Sequence, residues 1–394
     1  MSSLARQTYL LRVASSGPRG VVKRRNDVTG CYHAHRSFSS RSDVVSAVPL
    51  RLSEQPARYT ARIPELDNFR RWAKLMAERE VTDFNTIDGS PNLQTLHREI
   101  DWLISDNIAS VQGFGQSLNS VKHVSSLLNS SELYSVTLRL SIEELEHLWR
   151  KRTMERVPLQ YLTHTAHWRD LELTVSDAVL IPRPETELLI DFAEEILNRL
   201  ELQLDGTSTW NHLLSSPWLD LGTGSGALAI AMAQALQSRG RETVPLVLAT
   251  DKSIEAVEVA KHNATTCGVQ DVIQVLNGSW FEPIDDSIRF AGILSNPPYI
   301  PTELLGSLQP EVYLHEPRLA LDGGVSGGLL HITSICAKIT DFLLPGGLFA
   351  IETHGAEQAK FVGRLLEQTR AFDDIRTRAD YAGVCRFVTA RKQR

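Results

Sequence analysis

From Trp218 onward, short apolar runs alternate with stretches of helical spacing, and few architectures accept that order. Trp218–Leu221 reads as a strand, followed by a glycine-rich turn and a helix through Leu236. Leu246–Thr250 is a second strand closing on Asp251, with a helix over Ile254–Asn263 behind it. Val272–Leu276, Phe290–Leu294, Leu348–Glu352 and Val384–Ala390 read as further strands. Apolar strands separated by helices predict an α/β fold, a mostly parallel sheet covered on both faces. Such sheets bind ligands beyond the carboxyl ends of their strands, so the loops there are where chemistry is sought.

Upstream, residues 59–156 carry helical periodicity. Leu66, Phe69, Trp72, Leu75 and Met76 fall at three- and four-residue spacings, as do Ile100, Leu103, Ile104 and Ile108. Ser141 followed three residues later by Glu144 marks a helix start. These stripes predict an amino-terminal helical bundle without chemistry of its own. Residues 157–187 form a linker in which Trp168, Leu171, Leu173 and Val175, then Val179, Leu180 and Ile181, suit a hairpin with Ser176-Asp177 between its arms. The linker ends in Pro182-Arg183-Pro184-Glu185-Thr186-Glu187, and a helix over Leu188–Leu200 opens the last unit, residues 188–394.

Residues 1–45 have a different character. Eight basic side chains and one acid fall within residues 1–41, among many Ser, Ala and Val. Arg-rich, Ser-rich and acid-poor is the composition of an organelle transit peptide, and Arg6 and Arg12 interrupt the only apolar stretch that a secretory signal could use. The run Arg36-Ser37-Phe38-Ser39-Ser40 is similar to the processing region of mitochondrial presequences, which points to the mitochondrial matrix. The whole chain is at −6; without the net +7 of residues 1–41 it stands at −13. So acidic a body has no general attraction for phosphate backbones, and direct nucleic-acid binding is not expected. No apolar run reaches the ~18 residues of a membrane helix. The four cysteines are scattered, with no pair or cluster at metal spacing, so no metal site is expected.

Three loops carry chemistry. In Asp220-Leu221-Gly222-Thr223-Gly224-Ser225-Gly226-Ala227, glycines directly after a strand allow a sharp turn and close approach of a ligand to the backbone, with a helix N-terminus behind it. The pattern also satisfies G-x-G-x-x-A, so a nicotinamide enzyme is a competing reading, as is a tight turn without ligand. Asp251, ending the second strand, can accept both hydroxyls of a ribose and does not choose between cofactors. Asn296-Pro297-Pro298-Tyr299, after the strand Phe290–Leu294, decides between them. Two prolines fix φ and remove two backbone donors, so the loop presents carbonyls, with an amide at Asn296 and a ring at Tyr299. Two acceptors beside an aromatic wall suit a planar –NH2 group, which the nicotinamide reading leaves unexplained.

In that combination the chain resembles an S-adenosylmethionine-dependent amino-group methyltransferase with a Rossmann-like class I sheet. Leu180-Ile181-Pro182-Arg183-Pro184-Glu185-Thr186-Glu187 is similar to the signature of the HemK/PrmC protein-(glutamine-N5) methyltransferases, which modify the GGQ glutamine of peptide-chain release factors. The match continues through Pro158–Leu162, Glu316–Leu321, Gly327–Leu329, Pro345–Gly347 and Glu352, over roughly residues 150–390. The resemblance implies S-adenosylmethionine as methyl donor, a release factor as protein partner, and substrate recognition by the helical domain. It further implies that Gly222, Thr223, Gly224, Ser225 and Gly226 line the methionine part of the cofactor, Asp251 holds its ribose, Trp280 borders its adenine and Asn296 also contacts the cofactor. Asn296 and the Pro297 carbonyl would hold the substrate amide protons, with Pro298 and Tyr299 beside them. Two departures stand out: Ser279 where many relatives have an acid, and His164 where the family usually has Gly.

Two other functions fit parts of this pattern. A nucleic-acid amino-group methyltransferase would use the same Asn296–Tyr299 loop, but it needs cationic surface. A non-catalytic methyltransferase-like assembly factor would keep the fold without the chemistry. Arg183, Glu185 and Glu187 are expected to form a salt-bridge and capping network rather than to touch substrate.

Overall fold

The computed structural model describes residues 48–81, 91–113, 116–118, 135–202, 211–241 and 244–394. The basic leader over residues 1–45 lies outside the described residues. Strands are numbered in chain order. In the amino-terminal unit, β1 (Tyr59–Arg62), β2 (Ile108–Gly113), β3 (Gln116–Leu118) and β4 (Ser135–Leu138) form an antiparallel sheet in the order β1-β4-β2-β3. The unit is therefore not helical throughout, as the periodicity suggested. β1 buries only Ala61 of its four residues, and the alternation of β4, with Val136 and Leu138 inward, spans four residues and is too short to stand out beside the helical stripes.

The helices of this unit are where the spacing places them. Helix Leu93–Asn107 buries Ile100, Leu103 and Ile104 completely. Helix Ile63–Val81 buries Leu66 and Phe69, but Leu75 is exposed, and Ala73 and Ala77 face the core instead. The small Ala73 leaves room for Trp149, whose indole N–H donates to the Ala73 carbonyl at 2.9 Å. Ser141 caps helix Ile142–Met154 in a reciprocal pair with Glu144, 3.2 and 2.7 Å.

The linker hairpin pairs β5 (Thr165–Trp168) with β6 (Leu171–Thr174). Its turn is Arg169-Asp170, not Ser176-Asp177. The apolar alternation runs past the true turn and hides it, while the Glu187 carboxylate fixes that turn by accepting the Arg169 N–H at 3.0 Å. His164, at φ +54°, ends helix Leu159–Thr163 in the left-handed region. Glycine adopts that conformation without penalty, so the turn is one that would suit the glycine the resemblance implies at this position.

The large sheet has seven strands: β7 (Trp218–Leu221), β8 (Val247–Asp251), β9 (Ile273–Asn277), β10 (Phe290–Ser295), β13 (Leu343–Glu352), β14 (Phe372–Ala379) and β15 (Cys385–Lys392). The order is β14-β15-β13-β10-β7-β8-β9. The five strands from β13 to β9 are parallel, and β15 runs antiparallel to its neighbours β13 and β14. β14 escapes the sequence reading because it is an edge strand studded with charge, a device that discourages edge-to-edge pairing. Two short strands outside the sheet, β11 (Ile300–Pro301) and β12 (Asp322–Gly324), pair with each other.

Alternate residues of the central strands feed opposite faces. Trp218, Val247 and Ala249 pack with the helices Glu187–Leu202 and Ala227–Gln237, while Leu219, Leu248 and Ile293 pack with Leu330–Cys336 and Ala356–Thr369. Gly292 sits opposite Trp218, and a Cβ there would lie 2.2 Å from the indole, so the glycine makes room for that ring. Register then aligns the carboxyl ends: Leu221 is level with Thr250 and Ser295, and Ser295 with Ile351. The chain leaves β7 on one side toward β8 and β9 and returns on the other as β10, which puts the switch point at the β7–β10 boundary.

Candidate active site

At that boundary the turn after β7 is braced by its neighbours. The Gly222 and Thr223 N–H groups donate to the Thr250 carbonyl at 2.9 and 3.0 Å. Gly222, Gly224 and Gly226 all take positive φ, and at Gly222 (+75°) a Cβ would meet the Trp280 ring at 3.2 Å. Thr223 donates to Asp220 at 2.6 Å, and the same carboxylate oxygen accepts the Ala229 N–H. Burial pushes the Asp220 carboxyl up to about 7. Asp251 receives the Gly224 N–H on one oxygen and the Ser253 N–H on the other, both at 2.9 Å. Burial raises its pKa, and only backbone N–H groups hold its charge. Such an acceptor has lone pairs to spare for the two hydroxyls of a ribose.

The turn opens into a cavity of about 730 Å³. Its lining brings together Gly222, Thr223, Gly224, Ser225 and Asp251, the rings of Trp280 and His331, and Arg183, Thr186, Asn296 and Pro298. Trp280 adopts φ +52°, a left-handed conformation, and its ring lies 5.5 Å from that of His331. Glu282 accepts the Ser279 N–H at 3.3 Å, so an acid does lie on this wall, three residues beyond Ser279. Gly226 caps helix Ala227–Gln237 and is not part of the lining.

The Asn-Pro-Pro-Tyr loop divides in its roles. Asn296 and Pro298 are half-buried and face the cavity; Pro297 and Tyr299 are buried and do not line it. The Tyr299 hydroxyl donates to Glu352 at 3.0 Å, and burial beside that carboxylate raises its pKa well above the phenol range. Its carbonyl accepts from Gln358, and Gly328, at φ +72°, lies so close that a Cβ would come within 2.2 Å of that oxygen. The Asn296 amide N–H donates to Thr186 Oγ1 at 3.0 Å, and Thr186 donates to Glu352 at 2.7 Å. With one amide N–H engaged by Thr186, Oδ1 is the acceptor that Asn296 can offer a ligand. Arg183 forms a two-fold contact with Glu316, 2.7 Å to each oxygen, so its charge is structural, as the sequence suggests.

Sequence reasoning named Thr186 and Glu352 as members of motifs without giving either a role. It missed Asn263, whose amide donates to the Ser225 and Thr174 carbonyls at 2.9 Å and ties the glycine turn to the hairpin. No spacing rule marks that residue, because its partners come from distant segments.

A parallel sheet with the antiparallel β15 set between β13 and β14, a glycine turn after β7, a carboxylate ending β8 and the Asn-Pro-Pro-Tyr loop after β10 together define a class I S-adenosylmethionine-dependent methyltransferase. The family model for the methyltransferase small domain matches residues 205–304. A release factor glutamine methyltransferase from Thermosynechococcus vestitus is 42% identical over 256 residues, 65% of this chain and 81% of the relative. One from Gloeobacter violaceus is 43% identical over 246 residues, 62% and 78% of the two chains. Among solved structures, a ribosomal protein L11 methylase from Lactobacillus delbrueckii is similar at a TM-score of 0.33 and 20% identity, covering 54% of this chain and 81% of that one. The chain belongs to the release factor glutamine methyltransferase family.

The cradle fits the cofactor: bare glycine backbone, an acceptor carboxylate and the Trp280 ring line one cavity. Replacing Asp251 with alanine removes up to two charge-assisted hydrogen bonds, each worth about 1.5–3 kcal/mol. Cofactor affinity measured by calorimetry should fall roughly 10–100-fold or more. Turnover at saturating cofactor should move far less.

Proposed function

We propose that this chain methylates the side-chain amide nitrogen, N5, of the GGQ glutamine of a mitochondrial peptide-chain release factor. The observation that carries this reading is the Asn296 amide, which lines the same cavity as the glycine turn and Asp251 and is held through its Nδ2 by Thr186. Relatives that this chain covers over about four-fifths of their length are named for that reaction. The mitochondrial assignment rests on the Arg- and Ser-rich composition of residues 1–41.

S-adenosylmethionine supplies a methyl group on a sulfonium, already a strong electrophile. A carboxamide nitrogen is a weak nucleophile, since its lone pair is shared with the carbonyl, as in the peptide bond with its ~18–20 kcal/mol rotation barrier. The protein's contribution is therefore placement. Asn296 Oδ1 accepts one of the two amide protons and orients the nitrogen so that its lone pair faces the methyl; Pro297, buried outside the lining, adds no contact of its own. Orientation of this kind contributes several kcal/mol, up to roughly 7–11 in the best intramolecular models. As the N–C bond forms and the S–C bond breaks, one amide proton passes to solvent.

A body at −13 favours a folded protein over a nucleic-acid strand as substrate. The test incubates the chain from residue 46 with methyl-labelled cofactor and, separately, a mitochondrial release factor and RNA. Label should enter the release factor and vanish when its GGQ glutamine is replaced; label in RNA alone overturns the reading. A fluorescent reporter fused to residues 1–45 should enter mitochondria, and a cytosolic reporter removes the localisation.

A further inference from the structure

We infer that Thr186 and Glu352 are positioning residues which decide which end of the Asn296 amide faces the cavity. The inference rests on the reading that Asn296 Oδ1 accepts a proton from the substrate amide. Three hydrogen bonds carry it: Asn296 Nδ2 to Thr186 Oγ1 at 3.0 Å, Thr186 Oγ1 to Glu352 Oε2 at 2.7 Å, and Tyr299 Oη to Glu352 Oε1 at 3.0 Å. All but Asn296 are buried, and Glu352 is 1% exposed.

Hydrogen counting makes this chain directional. An ionised carboxylate only accepts, so the single hydroxyl hydrogens of Thr186 and Tyr299 are both committed to Glu352. Thr186 can then only accept from Asn296, which must turn its NH2 inward and its oxygen outward. Protonating Glu352 reverses the polarity. The carboxylic acid donates to Thr186, Thr186 offers its hydrogen to Asn296, and the amide is stabilised the other way round. An NH2 group in the cavity cannot receive an amide proton, so that state is inactive.

The charged and titratable groups around Glu352 are few. Tyr299 donates to it, Arg386 draws its charge while paired with Asp380 at 2.7 Å, and Glu185 repels it. Arg183 lies beyond Tyr299 in its own pair with Glu316, and His354 lies 6.3 Å from the Tyr299 ring. Burial outweighs these partners and lifts the Glu352 carboxyl to about 7. Activity should therefore rise with pH through neutrality, as Glu352 ionises.

The test compares wild type with Thr186→Val, Thr186→Ser and Glu352→Gln. Readouts are kcat and KM with release factor, calorimetric affinity for S-adenosylhomocysteine, and the side-chain amide ¹⁵N–¹H signals of Asn296. Thr186→Val should lower kcat about 10–100-fold with cofactor affinity within about twofold, and Thr186→Ser should recover most of the loss. The wild-type pH profile should show an ascending limb near pH 7 that Glu352→Gln lacks, and the Asn296 amide signals should shift over the same range. A Thr186→Val enzyme with normal kcat, a Thr186→Ser enzyme no better than the valine variant, or an unaltered limb in Glu352→Gln overturns the inference. If wild type leaves release factor unmethylated, the substrate reading fails. The relay then stands or falls on whether the Asn296 amide signals respond to pH and to Thr186→Val.

Discussion

Asn296→Ala is expected to lower kcat about 10²–10³-fold, the range seen when one preorganised hydrogen-bonding group is removed from a reaction centre. Cofactor affinity should stay within about twofold, because the groups assigned to the cofactor sit on the glycine turn, β8 and the Trp280 loop. The fold should tolerate the change. Asn296 is half-buried on a loop, and its loss leaves Thr186 bonded to Glu352 and Tyr299 still anchored. Losing the amide's hydrogen bond to Thr186 costs about 1 kcal/mol. Steady-state kinetics with release factor, beside calorimetry with S-adenosylhomocysteine, separates the two effects. An alanine variant with near-normal kcat means that placement of the amide nitrogen does not depend on Asn296.

The parts of the site legible in the sequence are those a ligand imposes directly on the backbone. Glycines that must take positive φ after β7, a carboxylate at the end of β8 and prolines after β10 each announce a local requirement, and each lies at the carboxyl edge of the sheet. Hidden are the parts that depend on a partner far along the chain. Thr186 and Glu352 are 166 residues apart, and Arg183 and Glu316 are 133 apart. Neither pair leaves a period in the sequence, so a motif can name Thr186 while its role stays unread. Tyr299 shows the converse: its residue type suggested a wall for the substrate, whereas the fold buries it and uses its hydroxyl to hold Glu352. The amino-terminal sheet and β14 are hidden for a simpler reason, since short or charged edge strands lack an apolar face long enough to count.

The same long-range logic joins the two halves of the molecule and gives the largest expected effect on stability. Arg152, 1% exposed on helix Ile142–Met154, grips the fully buried Glu99 of helix Leu93–Asn107 with Nε and Nη2, at 2.6 and 3.1 Å. Its Nη1 reaches Glu311 at 3.1 Å, and Arg156 also engages that carboxylate. Glu311 opens a segment between the two halves that runs on to Pro317, Leu319 and Ala320 in the cavity wall. Arg152→Ala takes away the guanidinium that neutralises Glu99 in a dry interior, a change that costs about 3–5 kcal/mol. Urea unfolding followed by tryptophan fluorescence should show a loss of that size. Glu311→Gln should cost distinctly less, because Arg152 keeps its two contacts to Glu99. Replacing Arg152 and Glu99 together with leucine should restore much of the loss, since an apolar pair carries no desolvation penalty. The restored double variant should still show a raised KM for release factor, because nothing from Arg152 then steadies Glu311 and the wall that follows it. If Arg152→Ala is no less stable than wild type, the buried pair does not hold the two halves together.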